Sequence, residues 1–174
     1  EVIKHALIGD PELWCRIQSD RVTWSHPVTV TELLRASIAV KVRVVQEDPL
    51  EKGLRAVLNF GHTIGHALES WFLETDEPLT HGEAVAIGMI CESQIGKLGK
   101  LEEVIQVIKS HFPHRTIPES AFPEIWSLMQ QDKKNAAGKV CMAVPGAEPF
   151  SMKVLEPSRE EIEQSLLFYN DLSR

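Results

Sequence analysis

Apolar residues along the 174-residue chain recur mostly at three- and four-residue spacing, and polar caps cut the pattern into helices. Residues 1–7 read as the tail of a helix that Gly9 ends. Asp10-Pro11 opens a second helix, with Asp as N-cap and Pro at N1, running to about Gln18 with Leu13, Trp14 and Ile17 on its apolar face. Residues 20–28 read as a loop. Thr29-Val30-Thr31-Glu32 has the form of a capping box and predicts a helix to about Glu47, with Leu33, Leu34, Ile38 and Val45 inward and Pro49 as its stop. Lys41 falls inside that mostly apolar run, where a lysine ordinarily reaches solvent along its stem. A further helix ends near Glu74, and Thr80-x-x-Glu83 caps the next. That one is apolar nearly all round (Ala84, Val85, Ile87, Gly88, Ile90, Cys91), as a central buried helix would be, and ends near Gly96 or Gly99. Helices follow at about 101–110 and 120–130. Residues 139–144 and 150–155 alternate as a hairpin around Pro145-Gly146, and Ser158-x-x-Glu161 starts a last helix to about Asp171. The expectation is a single, mainly α domain over residues 1–174, multihelical with one small β-hairpin.

Composition narrows the function classes. Hydrophobic content is 43% and charged content 25%, ordinary for a globular domain with a real core. The net charge of −7 argues against a nucleic-acid or anionic-membrane surface, though not against a local basic pocket. No apolar run approaches the ~20 residues that span a bilayer, and no signal peptide is visible. Cys15, Cys91 and Cys141 are odd in number and widely spaced, so reduced thiols in a cytoplasmic setting are expected, each acting as a small core hydrophobe. The chain starts without methionine inside a helical pattern and holds no glycine-rich strand-turn-helix fingerprint. A domain cut from a longer protein is the expectation.

The chemistry concentrates in Asn59-Phe60-Gly61-His62-Thr63-Ile64-Gly65-His66-Ala67-Leu68-Glu69. On a helix, His62 and His66 share a face one turn apart. Thr80-His81-Gly82-Glu83 adds a third imidazole at a helix start, and Glu83 has a plain role as the cap partner. Three imidazoles with carboxylates in reach are raw material for a divalent-metal site, and spacing alone makes His66 a ligand too. Gly61 and Gly65 within a helix signal either a ligand or a neighbouring helix in close approach. Glu1 and Lys4, at i and i+3, read as a solvated ion pair.

Five ordered blocks carry a resemblance beyond one His-x-x-x-His. They are Glu1-Val2-Ile3-Lys4, Lys41 to Val45, Glu51-x-Gly-Leu-Arg55, Leu58 to Ala67 with His81 to Met89, and Asp132-Lys133-Lys134-Asn135. In this order they resemble the 3-dehydroquinate synthase family, over its C-terminal half. The resemblance implies the multihelical C-terminal fold of that family, with the N-terminal NAD-binding domain lying outside this chain. It implies the reaction from 3-deoxy-arabino-heptulosonate 7-phosphate to 3-dehydroquinate plus phosphate, in the shikimate pathway, with Zn2+ or Co2+ and NAD. It implies Glu1, His62 and His81 as metal ligands, with His66 beside the metal, facing the substrate phosphate and sharing in proton transfer. Lys4 would hold a substrate hydroxyl, Lys41 and Arg55 the substrate carboxylate, and Asn59 a polar contact. Glu51 would accept a proton. Lys133 or Lys134 would bind phosphate, with Lys133 preferred. A homodimer is expected, partnered by its own NAD domain. Pro49, where the family often has an acidic residue, and the longer gap between His62 and His81 are departures that touch no ligand type.

Three rivals stand beside this reading. Another sugar phosphate cyclase would share the metal set and differ at the carboxylate clamp, which Lys41 and Arg55 both retain. A metal-dependent polyol dehydrogenase would lack the Asn-Phe-Gly-His-Thr run. A non-catalytic remnant module would keep the fold without its partner domain. Without that domain, the chain alone is expected to be inactive.

Overall fold

The computed structural model describes residues 1–19, 24–131 and 139–173, and within them the chain forms two compact units. Residues 1–59 and 145–153 make the first; residues 60–144 and 154–174 make the second. Among the described residues there are eight α-helices, two short 3-10 helices and one two-stranded hairpin, the mainly α architecture that the periodicity predicts. No helix among them is long and apolar enough to cross a membrane.

The first unit contains α1 (Val2–Gly9), α2 (Pro11–Gln18), α3 (Pro27–Glu47) and a 3-10 helix, Leu54–Asn59. Asp10 caps α2 as expected, its carboxylate accepting the Leu13 N–H at 2.8 Å. Ile8, Val40, Val44 and Val57 form a core against which Leu54, Leu58, Phe150 and Met152 pack. α3 departs from expectation at its start. Pro27, not Thr29, opens it, because the fixed φ of proline suits the first helical position. By Thr31 the chain is already helical, and that hydroxyl donates back to the Pro27 carbonyl. The buried stripe then runs Leu33, Ser37, Val40, Val44. Leu34 and Ile38 lie one residue round the helix and are 47% and 57% exposed, so they do not face inward. Val45 is half-buried.

The second unit is built around α5 (His81–Ile95), which packs against α4 (His62–Leu73), α6 (Leu101–His111) and α8 (Arg159–Asp171). Every residue from Ala84 to Ser93 is buried, as its all-round apolar pattern predicts. α7 (Phe122–Gln131) lies on α4 and α8. Thr80 with Glu83, and Ser158 with Glu161, both form complete capping boxes. The strands β1 (Met142–Pro145) and β2 (Met152–Leu155) are shorter than predicted, and the Gly146 N–H donates to the Ser151 carbonyl to close their turn. Of the cysteines, only Cys91 is a core residue; burial pushes its thiol up to about 12. Cys15 and Cys141 are exposed, on the outward face of α2 and just before β1, and do not fill the core.

Candidate metal centre and the residues around it

Two helix starts bring the imidazoles together. Gly61, in the left-handed region at φ 77°, is the N-cap of α4 and not an interior helix residue. His62 is therefore the first residue of α4, and His66 follows one turn later. His81 is the first residue of α5, held there by the Thr80–Glu83 box. Hydrogen bonds from the Thr80 hydroxyl and amide keep the Glu83 carboxyl below its usual range, so its place is structural.

The three rings lie 5.2 Å (His62 to His66), 5.3 Å (His62 to His81) and 5.8 Å (His66 to His81) apart by centroid. One nitrogen from each lies within 4.8 Å of the others, so the cluster could hold a metal ion. Two rings are oriented from behind. His62 Nδ1 lies 3.1 Å from the Phe60 carbonyl, and His81 Nδ1 lies 3.0 Å from Glu69 Oε2. A carbonyl or carboxylate oxygen only accepts, so Nδ1 is the donor in both; in a neutral ring that leaves the Nε2 lone pair for a metal, the arrangement usual for ligating histidines. The donor set fits a divalent cation of the zinc type.

The close approach that Gly61 and Gly65 signal is helix packing. A Cβ on Gly65 would meet the backbone of Ala84 and Val85 at 3.1 Å, and one on Gly88 would strike the Gly61 carbonyl. His66 also borders an open depression of about 290 Å³ whose lining includes Thr63, Ser70 and Gln131.

The other described site candidates lie in the first unit. Glu1 Oε2 is 2.7 Å from Lys4 Nζ and 3.7 Å from His5 Nε2. This ion pair is not solvated on both sides, since Lys4 is 2% exposed and donates to the Leu58 carbonyl. His5 is hydrogen bonded to Ser37 at 2.7 Å, and burial, then the Lys4 charge, lowers its pKa to about 4. Lys41 is exposed on α3. Glu51 has φ 54° and lies 3.7 Å from Arg55. Asp48 organises that turn, accepting the backbone N–H groups of Lys52, Gly53 and Arg55 at 2.8–3.0 Å. Asn59 ends the 3-10 helix, half-buried. Lys133 and Lys134 lie outside the described residues.

Sequence reasoning missed Glu69, Asp48 and the His5–Ser37 pair. Glu69 had a readable signal: it is three residues from His66 and seven from His62, on their face of the helix. Asp48, just before a proline, carried a turn signal. His5 and Ser37 carried none.

Known proteins match this chain along its length. Residues 1–135 match the family model described as 3-dehydroquinate synthase C-terminal. A 3-dehydroquinate synthase of Parabacteroides distasonis is 34% identical over 180 residues, covering 98% of this chain and 50% of that protein. One from Bacillus cereus is 39% identical over 151 residues, covering 83% and 41%. The chain thus spans about half the length of the curated relatives it matches. Two solved structures share the fold. A 2-epi-5-epi-valiolone synthase from Streptomyces hygroscopicus, with NAD+ and Zn2+ bound, superposes with a TM-score of 0.72 at 21% identity, covering 98% of this chain and 49% of that one. A 2-deoxy-scyllo-inosose synthase complexed with carbaglucose-6-phosphate, NAD+ and Co2+ gives 0.66 at 20%, covering 95% and 48%. The chain belongs to the 3-dehydroquinate synthase family and corresponds to its C-terminal region.

Proposed function

We propose that this chain is the metal- and substrate-binding part of a cytoplasmic 3-dehydroquinate synthase, a lyase of the shikimate pathway and of aromatic amino acid biosynthesis. Its substrate would be 3-deoxy-arabino-heptulosonate 7-phosphate, its products 3-dehydroquinate and phosphate. The observation that carries this reading is the His62, His66 and His81 cluster, with two rings held by acceptors at Nδ1, in a chain of this family. Glu1, His62 and His81 would hold Zn2+ or Co2+. Bound there, the cation would supply charge that eases proton loss from a substrate hydroxyl, while NAD on the N-terminal domain would carry the hydride.

The chain's own residues position and move protons. Lys4 would hold a substrate hydroxyl, and its anchorage at the Leu58 carbonyl supports a fixed position. Lys41 and Arg55 would clamp the carboxylate, with Arg able to do so through two parallel N–H donors. Asn59 would add a polar contact, and Glu51 would accept a proton. His66 would face the phosphate; Ser70, on the depression it borders, carries a hydroxyl suited to phosphate oxygens. Lys133 would bind phosphate. Retention of both Lys41 and Arg55 favours an acid over the substrates of other sugar phosphate cyclases. In the cell the working unit would be a homodimer of full-length chains, and this stretch alone would be inactive.

Zinc titration by calorimetry tests the reading. Stoichiometric binding that His62→Ala abolishes is the expected result; no specific binding by the wild-type chain overturns a metal centre preformed here. Dehydroquinate formed by this chain with substrate, NAD and zinc would overturn the expectation of inactivity.

A further inference from the structure

Among the described residues, Glu92 is the one fully buried carboxylate, 0% exposed in the last turn of α5. Two backbone groups of another helix donate to it. The Gly61 N–H donates to Oε2 at 2.7 Å, and the Ile64 N–H donates to Oε1 at 3.1 Å. Gly61 is the N-cap of α4 and Ile64 its third residue. These are the two N–H groups that a capping box satisfies, one through the N-cap side chain and the other through the carboxylate three residues on. Gly61 has no side chain to cap with. A single carboxylate from α5 performs both halves of the box for α4.

We propose that Glu92 is a positioning residue for the imidazole cluster, locking the start of the helix that bears His62 and His66 to the helix that begins with His81. Four facts converge. The carboxyl group is buried, so water does not compete for its two bonds. It sits at the positive end of the α4 dipole. Its two bonds straddle His62, which lies between Gly61 and Ile64, and His66 stacks on that first turn through the Gly65 N–H to Gly61 carbonyl bond. Finally, α5 carries His81 at its own fixed N-terminus, so one rigid helix references all three rings. Replacing the carboxylate by an amide keeps size but turns one acceptor into a donor, set against an N–H. The first turn of α4 must then shift, and the rings with it.

The consequence for metal rests on the reading of the cluster as a metal centre; the first readout does not. In the metal-free chain, imidazole NMR signals of His62 and His66 are compared between wild type, Glu92→Gln and Leu166→Ala. Leu166 is fully buried in α8, so its truncation controls for lost stability. Glu92→Gln should shift and broaden both imidazole signals, and Leu166→Ala should leave them in place. Unchanged signals in Glu92→Gln, or equal changes in both variants, overturn the proposal. If Glu92→Gln does not fold, amide exchange in the wild type decides: the Gly61 and Ile64 amides should be strongly protected, and fast exchange there overturns the proposal. Co2+ titration then reads the consequence, with affinity expected to fall roughly 10–100-fold in Glu92→Gln. A wild-type chain that takes up no Co2+ overturns the metal reading instead, while the imidazole signals still decide the role of Glu92.

Discussion

The two units hold their functional candidates by different means. In the second, three imidazoles stand on two helix starts whose backbones touch through glycines and share a buried carboxylate. The Glu69–His81 bond, between two partly exposed side chains, is the exception there. In the first, Glu51 and Arg55 sit on a turn organised by the half-buried Asp48, and the Glu1 carboxylate is 48% exposed. Lys4 is the exception, a buried cation with fixed partners. The difference separates preorganisation from adjustability. On the proposed reading, a cluster that would meet a metal needs fixed geometry, whereas groups that would grip a polyol acid can keep some freedom.

Breaking the rigid side should have the largest effect. A methyl group at Gly88 would strike the Gly61 carbonyl, a backbone atom that cannot rotate away. Gly88→Ala should cost about 3 kcal/mol of stability, at the upper end for overpacked cores, read by urea unfolding. A loss under ~1 kcal/mol would mean that α4 and α5 slide past each other easily, and the contrast between the units would weaken.

Next comes Lys4, the rigid element of the softer unit. Lys4→Met keeps most of the volume and removes the donor to the Leu58 carbonyl and the partner of Glu1. With Glu1 half exposed, water takes over part of the loss, so about 1–3 kcal/mol is expected. Denaturant midpoints measured at low and high salt check it. A midpoint that equals wild type under both conditions would place Lys4 with the ordinary surface lysines.

Much of this was legible beforehand, for local reasons. Asp10-Pro11, Thr80-x-x-Glu83 and Ser158-x-x-Glu161 each fold by bonds within three residues, and all three appear as predicted. The pairing of His62 with His66 follows from helix period alone. Illegible parts depend on distant partners. Ser37 is inward in α3 because His5, 32 residues away, bonds it, and that choice turns Leu34 and Ile38 outward. Gly61 looked like a helix interior because its cap, Glu92, is 31 residues downstream. A second Glu in an apolar helix, beyond the capping Glu83, was the available signal.

A smaller effect on stability, but a specific one on ligand, belongs to Glu69. It sets the proton on His81 Nδ1 at 3.0 Å. Glu69→Gln should weaken zinc binding about tenfold, which is ~1.4 kcal/mol, while the melting temperature stays near wild type. Calorimetry reads the first and thermal unfolding the second. Equal zinc affinity in both proteins would show that His81 needs no support from behind.

The smallest effect should come from Asp48, and it sharpens the contrast most directly. Its carboxyl is held below its ordinary value by the backbone N–H groups of Lys52 and Arg55, then of Gly53. A depressed carboxylate stabilises the folded turn fully above its unfolded pKa, ~3.9, and loses that contribution as pH falls through the lower folded value. Amide exchange at Lys52, Gly53 and Arg55 should therefore be slow near neutral pH and lose its protection below about pH 4, after correction for intrinsic rates. Asp48→Asn should exchange faster at neutral pH and show no such pH dependence, with global stability nearly unchanged because the bonds it loses are confined to one turn. The imidazole-bearing turn, capped by a buried carboxylate, should keep its protection in both proteins. If the Gly61 and Ile64 amides lost protection along with those of the Asp48 turn, the two units would be opening together, and rigidity would be a property of the whole chain, not of the histidine cluster.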